Sequence, residues 1–436
     1  MTTHRDETAM TTTSGPACCD ELAQATRLSR RRLIQGMAAA GATGVATSLF
    51  GDAFRQTAFA GQPGGNVLVV LSLRGGIDGL GVVVPHGDPG YYTARPRIAV
   101  PRESLVAQDG FFGLHPAMQP LEWLWSAGEL AAVHAVGLPV PNRSHFSAME
   151  EIEDADTGSD ARRGWVNRMI GLTGTTDPTT GIHLSTAAMP TLIAGPTPTI
   201  AVDRVSQVAM IGADKADEWS RRRRKALGTM WRGKSALGPA YRSAAATVDK
   251  MAPLARTPYT PTVAYPTGGA ANDLSEALRD TAQLIKADLG TEVVSIDYGT
   301  WDLHSDYGTL EWGDMQNLIA GFAKALDAFM RDLGPLRSRV TVVTISEFGR
   351  RLMENGNGGL DHGWGNMMLV AGGGVRGGAY YGAWPGLGTG READADLRVT
   401  TDYRNVLGEV LARRFPDRSL ASVFPGVTYA PRGVML

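Results

Sequence analysis

Runs of apolar residues recur along the chain and predict a series of buried strands. The clearest runs are rich in Val, Ile and Leu and cover residues 67–73, 130–136, 293–296, 340–345 and 367–371. Apolar residues at helical spacing predict helices over 116–124, from Asn272 or Asp273 to Leu289, and over 314–333. Because parallel strands need long crossover connections, this alternation predicts an α/β fold with a mostly parallel central sheet flanked by helices.

Residues 160–270 interrupt this regular order. Short strands are predicted over 191–194 and 199–202, and residues 253–269 are rich in Pro, Thr and Gly, which indicates an irregular connection. Prolines and tyrosines over 85–96 predict a long loop. We therefore expect residues 61–436 to form a single domain with an irregular insertion around 160–270.

The first sixty residues differ in composition from the rest. Paired arginines in Ser29–Arg30–Arg31–Arg32–Leu33 precede a weakly apolar segment, and Ala58–Phe59–Ala60 fits a small-x-small cleavage site. This combination predicts that 1–60 is a twin-arginine signal, handled by the export machinery and then cleaved, so that the protein is periplasmic or extracellular. A surface amphipathic helix is the alternative. Both cysteines, Cys18 and Cys19, would leave with the signal, and thiol chemistry with them.

Charge and hydropathy limit the partners that we expect. Formal net charge is −2 over 436 residues, and the one basic run, Arg221 to Lys225, fits a solvated helical face better than a nucleic-acid site. No later segment has the roughly eighteen consecutive apolar residues of a transmembrane helix. We expect no nucleic-acid partner and no stable membrane span after cleavage.

Candidate chemistry lies in polar residues near the predicted strand ends. Taken singly, each of these residues has an ordinary explanation as a turn or capping residue. Together they occupy comparable places in successive strand and turn units, which suits a divalent ion such as Zn²⁺, Mn²⁺, Ca²⁺ or Mg²⁺. The set comprises Asp78, Ser144, His145, Asp302, His304, Glu347, Asp361 and His362.

Five longer motifs carry a family resemblance: LSLRGGIDGL, PNRSHF, DYGTWDLHSD, SEFGRRLMENGNGGLDHGWGN and LVAGGGVRGG. They resemble the bacterial family known as domain of unknown function 1501 over nearly all of the chain after residue 60. That family in turn is similar to the alkaline phosphatase and sulfatase superfamily. The resemblance implies an alkaline-phosphatase-like three-layer sandwich and a divalent metal cofactor.

The superfamily pattern also implies roles for individual residues. It makes Asp78, Asp302, His304, Glu347 and His362 metal ligands. Phe348 stands where the pattern has a histidine, so a second metal is lost or is held by Asp361 or His145 instead. Ser144 is the candidate nucleophile and His145 the candidate proton donor to the leaving group. Arg143 and Arg350 are the candidates for binding the nonbridging oxygens of the substrate.

These expectations lead to an exported metal-dependent hydrolase whose substrate is a small-molecule or polymeric phosphate or sulfate ester. The rival hypothesis is a non-catalytic secreted binding protein on the same fold, with a structural or vestigial metal site. The residue Phe348 favours that rival. A phosphomutase suits an exported chain less well, because the usual substrates of such enzymes are intracellular.

Overall fold

Continuous apolar runs form the inner strands of a nine-stranded sheet in the computed structural model of the chain. The structure describes residues 64–156, 162–185, 188–210, 217–231, 237–390 and 395–436. The predicted export signal lies outside these residues. All described residues fall within one compact unit, Ser48–Leu436.

The strands are short except for those at the centre of the sheet. β1, β4, β7, β8 and β9 correspond to the five apolar runs of the sequence. In chain order the strands are β1 (Val67–Leu73), β2 (Val83–Val84), β3 (Gly113–Leu114), β4 (Leu130–Gly137), β5 (Gly181–Leu184), β6 (Ile200–Val202), β7 (Val293–Tyr298), β8 (Val340–Ile345), β9 (Asn366–Gly372), β10 (Tyr380–Tyr381) and β11 (Thr401–Asp402).

The central sheet has the strand order β10-β4-β9-β8-β1-β7-β5-β6, with β11 paired to β4. β1 lies parallel to both β7 and β8, so that Val69 stands beside Val294 and Val342. β9 alone runs antiparallel to its two neighbours, β4 and β8. The predicted mostly parallel sheet is confirmed, and the carboxyl ends of its inner strands share one edge.

Helices connect the strands. In chain order they are α1 (Gly79–Val82), α2 (Pro89–Ala94), α3 (Glu122–Ser126), α4 (His145–Asp154), α5 (Trp165–Gly171), α6 (Glu218–Met230), α7 (Leu237–Arg256), α8 (Asn272–Ala287), α9 (Asp314–Leu333), α10 (Tyr403–Arg414) and α11 (Leu420–Val423), with short 3-10 turns such as Pro116–Leu121 and Thr191–Ile193.

The two faces of the sheet bury separate apolar cores. On β1, Val69 and Leu71 pack toward α8 and α9, whereas Leu68 and Val70 pack toward α4, α5 and α10. This alternation is the two-residue period of a strand with both faces covered. The fold therefore has three layers, with helices on each side of the sheet.

Some local predictions are wrong. Residues 191–194 form a 3-10 turn rather than a strand, because Pro190 precedes them and only three residues turn. The predicted loop over 85–96 contains α2, which Asp88 begins by accepting a hydrogen bond from the amide of Gly90. The strands Gly181–Leu184 and Ile200–Val202 extend the main sheet from within residues 160–270, and α10 follows a stretch with no predicted element.

No helix in the described residues is long and apolar enough to cross a membrane.

Candidate metal centre

Three histidines and an aspartate meet at the carboxyl edge of the sheet. Asp302 and His304 follow β7, and His145 is the first residue of α4, which comes after β4. His362 precedes β9, and because β9 runs antiparallel, the segment before it lies at this same edge. A bridge between Arg350 and His362 fixes that segment against the loop that follows β8.

The four side chains present their ligand atoms to one another at short range. Nε2 of His362 lies 3.0 Å from Nε2 of His145 and 3.0 Å from Nε2 of His304. Oδ1 of Asp302 lies 3.1 Å from Nε2 of both His304 and His362, and 3.4 Å from Nε2 of His145. We call these four residues the His3Asp cluster.

The other nitrogen of each imidazole faces an oxygen that can only accept a hydrogen bond. Nδ1 of His145 lies 3.0 Å from Oε1 of Glu347, and Nδ1 of His304 lies 3.0 Å from Oδ1 of Asp361. Nδ1 of His362 lies 3.0 Å from the carbonyl oxygen of Arg143. Each Nδ1 is therefore the protonated nitrogen, and a neutral ring directs the lone pair of its Nε2 into the cluster.

Arg350 holds Asp302 in place. Its guanidinium donates to Oδ1 of Asp302 at 2.7 Å. Its other hydrogen bonds go to four carbonyl oxygens, those of Gly75, Gly76, Trp301 and Leu360. The side chain is 2% exposed. Arg350 therefore supports Asp302 from the protein interior, whereas the superfamily pattern gave it a substrate oxygen to bind.

A close backbone approach places Glu347. Gly75 has φ +108°, and a Cβ at this position would lie 2.7 Å from the amide nitrogens of both Trp301 and Asp302. Only glycine combines this conformation with such packing. The amide of Gly75 donates to Oε1 of Glu347 at 2.7 Å, and the hydroxyl of Ser346 donates to Oε2 at 3.1 Å. Both carboxylate oxygens of Glu347 are thus bonded before His145 is considered.

The surroundings favour positive charge within the cluster. Burial opposes ionisation of His145, but hydrogen bonds to Asp302 and Glu347 outweigh it and raise the pKa of His145 to about 9. Burial likewise opposes ionisation of Asp302, yet hydrogen bonds from the three histidines and from Arg350 hold the pKa of Asp302 far below its usual range. The pKa of Glu347 is also lowered, mainly by His145 acting against burial. Whichever cation enters, proton or metal, meets a site that stabilises it.

This donor set fits a divalent transition metal. His145, Asp302 and His362 place ligand atoms within 4.8 Å of one another, and Nε2 of His304 adjoins two of them. Ligands about 2.0–2.1 Å from a tetrahedral zinc ion stand roughly 3.3 Å apart, close to the separations found here. Histidines whose second nitrogen donates to a carboxylate or carbonyl oxygen are the usual arrangement around such an ion. Glu347 and Asp361, considered as ligands from sequence, instead stand behind the histidines.

Asp78 lies in a separate network. Arg95 donates to both oxygens of its carboxylate, at 2.6 and 2.9 Å, and the hydroxyl of Tyr307 donates to Oδ2 at 2.7 Å. Asp78 is 3% exposed and Arg95 is 1% exposed. The structure therefore groups this predicted ligand with a buried guanidinium and not with the histidines.

The remaining candidates flank the cluster at the surface. Ser144 is exposed at the N-terminus of α4, and its hydroxyl makes no capping hydrogen bond. Arg143 is ion-paired with Asp396, and only its main-chain carbonyl contacts His362. His145, the predicted proton donor, has both ring nitrogens engaged, one by Glu347 and one by the cluster.

Several supporting residues are absent from the set drawn from the sequence. Arg95 and Tyr307 hold Asp78, and Asn355 donates to Oδ1 of Asp361 at 3.0 Å and to the carbonyl oxygen of His304 at 3.0 Å. The Asn/Gly loop around Asn355 was visible in the sequence, but its turn composition alone gave no sign of this contact. Phe348 packs its ring 4.8 Å from the rings of His145 and His362 and so gives the cluster an apolar wall.

Solved structures with a similar arrangement come from three bacterial proteins. The C-terminal periplasmic domain of EcEptC from Escherichia coli, a complex with zinc, has 9% identity and TM-score 0.33, with 73% of this chain and 75% of that chain covered. PsFucS1 sulfatase from Pseudoalteromonas sp. has 12% identity and TM-score 0.30, with coverage of 78% and 71%. The phosphonate monoester hydrolase of Agrobacterium radiobacter has 9% identity and TM-score 0.35, with coverage of 84% and 79%. Similarity at this level transfers no activity to the present chain.

Comparison with curated proteins finds no match. The sequence model of one family matches residues 131–415, which include three strands of the sheet centre and all four members of the His3Asp cluster. The chain belongs to this family, described as protein of unknown function (DUF1501).

Proposed function

We propose that the chain is an exported, metal-dependent hydrolase of phosphate or sulfate esters, with the His3Asp cluster as its metal site. One observation carries the proposal: four ligand atoms converge while each histidine is tied through its Nδ1 to an oxygen. Without a cation, three imidazole lone pairs and a carboxylate would face one another across about 3 Å, which is electrostatically unfavourable.

A bound divalent ion would supply a Lewis acid that lowers the pKa of a nearby hydroxyl or water and neutralises charge on ester oxygens. The protein residues hold that site in shape. Glu347 and Asp361 orient His145 and His304, and Arg350 fixes Asp302. In this arrangement His145 serves as a ligand, so the proton for the leaving group comes from elsewhere.

Two features support access by a substrate. The side chains of Asp302, His304 and His145 retain 19%, 24% and 16% of their exposure, so the cluster is open on one side. Ser144, next to ligand His145, presents an exposed hydroxyl at the N-terminus of α4, where the helix dipole favours negative charge. Ser144 is therefore the proposed nucleophile.

The number of ligands favours the second candidate function, a secreted binding protein with a structural metal. Four protein ligands are typical of closed structural zinc sites, whereas catalytic sites usually keep one position for water or substrate. The two functions differ in what removal of the ion does. A structural ion is required for folding, and a catalytic ion is required for turnover.

The test combines metal analysis with turnover. We expect the purified protein to hold a transition metal, which Asp302→Ala and His362→Ala should lose while keeping the circular dichroism of the parent. Asp288→Ala is the matched control, because Asp288 precedes β7 at the opposite edge of the sheet. Ser144→Ala should retain the metal and lose turnover of phosphate or sulfate monoesters or of phosphodiesters.

Each other outcome has a definite meaning. Metal content that is unchanged in both ligand variants would exclude the His3Asp cluster as the site. Metal without turnover of any ester, together with unfolding on chelation, would favour the structural function. Turnover that is unaffected in Ser144→Ala would leave the hydrolase and exclude Ser144 as its nucleophile.

Export is tested separately. It depends on the paired arginines, so replacing Arg30 and Arg31 by Lys should keep the protein in the cytoplasm with its N-terminus intact. The parent chain should be recovered outside the cytoplasm with an N-terminus after Ala60.

A further inference from the structure

The helix α6 (Glu218–Met230) leaves a large apolar and basic surface uncovered. Trp219 is 69% exposed and Met230 is 66% exposed, the largest values among the exposed aromatic and sulfur-containing side chains of the described residues. Trp219, Ala226 and Met230 stand at helical spacing of seven and four residues, so they line one side of the helix, with Arg223 among them.

The packed side of α6 is different. Ser220 is buried, and the Arg224 side chain pairs with Asp249 of α7 at 2.5 Å. The hydroxyl of Tyr241, also in α7, donates to the carbonyl oxygen of Arg224 at 3.2 Å. α6 is thus held to the protein along one side while its Trp219 and Met230 side remains open.

Positive charge surrounds the open side. Of five consecutive cationic residues, Arg222 pairs with Glu218 of its own helix and Arg224 pairs with Asp249. Arg221, Arg223 and Lys225 make no ion pair with any residue that the structure describes. The acidic neighbours on this helix are Glu218, already paired, and Asp217, whose carboxylate accepts from the amide of Ser220 as the N-cap.

We propose that α6 binds the surface of a membrane containing anionic lipid, lying in the interface with Trp219 and Met230 inserted. A helix with Lys and Arg beside an exposed stripe bearing Trp is the pattern of interfacial helices. The unpaired cations complement anionic headgroups, and Arg223 within the stripe can extend its guanidinium to the headgroup level. A nucleic acid would use the same cations, but it gives no reason for Met230 to be exposed beside them.

Sedimentation with lipid vesicles tests this proposal on the full-length chain. We expect binding to vesicles of phosphatidylcholine mixed with phosphatidylglycerol, weaker binding to phosphatidylcholine alone, and weakening by salt. Each Lys or Arg near an anionic surface strengthens binding roughly fivefold, so changing Arg221, Arg223 and Lys225 together to Gln should weaken binding on the order of 100-fold.

Two further variants complete the design. The control changes Arg102, Lys324 and Arg398 to Gln, three exposed cations outside α6, and so alters net charge equally. It should bind within a few-fold of the parent. Trp219→Ser with Met230→Ser should reduce binding to anionic vesicles and leave metal content unchanged.

Three results would overturn the proposal. One is failure of the parent chain to bind either kind of vesicle. Another is equal weakening by the α6 variant and the control, which would indicate a response to net charge only. The third is binding to vesicles and to duplex DNA that depends on the cations but is unaffected in the Trp219 and Met230 variant. That result would indicate a polyanion site.

Discussion

Replacing Glu347 by Gln isolates the electrostatic support of a metal ligand. The three groups bonded to this carboxylate are the amide of Gly75, the hydroxyl of Ser346 and Nδ1 of His145. The glutamine oxygen can accept from Gly75 and His145 as Oε1 does. Its amide can donate to Ser346, whose hydroxyl already donates to the carbonyl oxygen of Leu73 at 2.9 Å. Size and hydrogen bonds are therefore kept, and the negative charge behind His145 is removed.

The expected loss follows from the position of Glu347 behind the ligand. Removing an outer partner of a metal-bound histidine usually lowers metal affinity by about 10-fold to 100-fold, which corresponds to roughly 1.4–2.7 kcal/mol. Glu347 is 3% exposed, so solvent screens its charge little, and the full range is expected.

Competition with a chelator of known affinity measures this loss. The control variant is Glu129→Gln, since Glu129 forms an ion pair with Arg337 at 2.9 Å and does not contact the cluster. A metal affinity of Glu347→Gln within twofold of the parent, with the control unchanged, would refute the reasoning. It would mean either that His145 is no ligand or that its orientation does not depend on the carboxylate.

Three further changes have defined outcomes. Arg95→Met should lower the free energy of unfolding by about 3–5 kcal/mol, because it leaves Asp78 buried without its partner, and Asp78→Asn in the same chain should recover part of the loss in denaturant titrations. Burial raises the pKa of Glu153 to about 7. The folded state therefore favours the neutral acid, and this stability, present below the unfolded pKa, is lost as pH rises through about 7. Glu153→Gln should flatten the decline in melting temperature between pH 5 and 8; an unchanged slope would contradict it. Asn355→Ala should weaken metal binding several-fold by freeing Asp361, and an unchanged affinity would show that His304 needs no such support.

The strands and one edge of the site could be predicted because the evidence for them is local. Continuous β-branched runs specify buried strands, and residues that follow parallel strands share an edge, which is why Asp302, His304 and His362 meet as expected. The interior packing of Arg350 could not be predicted, since an arginine after a strand looks the same whether it faces a substrate or four carbonyl oxygens.

The partition of the site into ligands and their supports was also beyond the sequence. His145 and His362 are 217 residues apart, and their contact depends on how the segment after β4 folds back over the edge. Glu347 and Asp361 have the same residue type and the same kind of position as a ligand would have. Only the direction of the histidine rings shows that these carboxylates bind Nδ1 and that Nε2 faces the centre.

The structure also predicts how many metal ions one chain binds. The superfamily pattern would add ligands at Asp78 and at the position of Phe348. Asp78 already accepts three hydrogen bonds from Arg95 and Tyr307, and the guanidinium balances its charge. Phe348 has no donor atom and packs against two of the ligand rings instead. To bind a second ion, Asp78 would have to leave a buried ion pair, which costs several kcal/mol. We therefore expect one metal equivalent per chain in elemental analysis after reconstitution with excess metal and desalting. Asp78→Asn should hold the same amount; two equivalents in the parent, falling to one in this variant, would show that Asp78 leaves Arg95 to ligate a second ion.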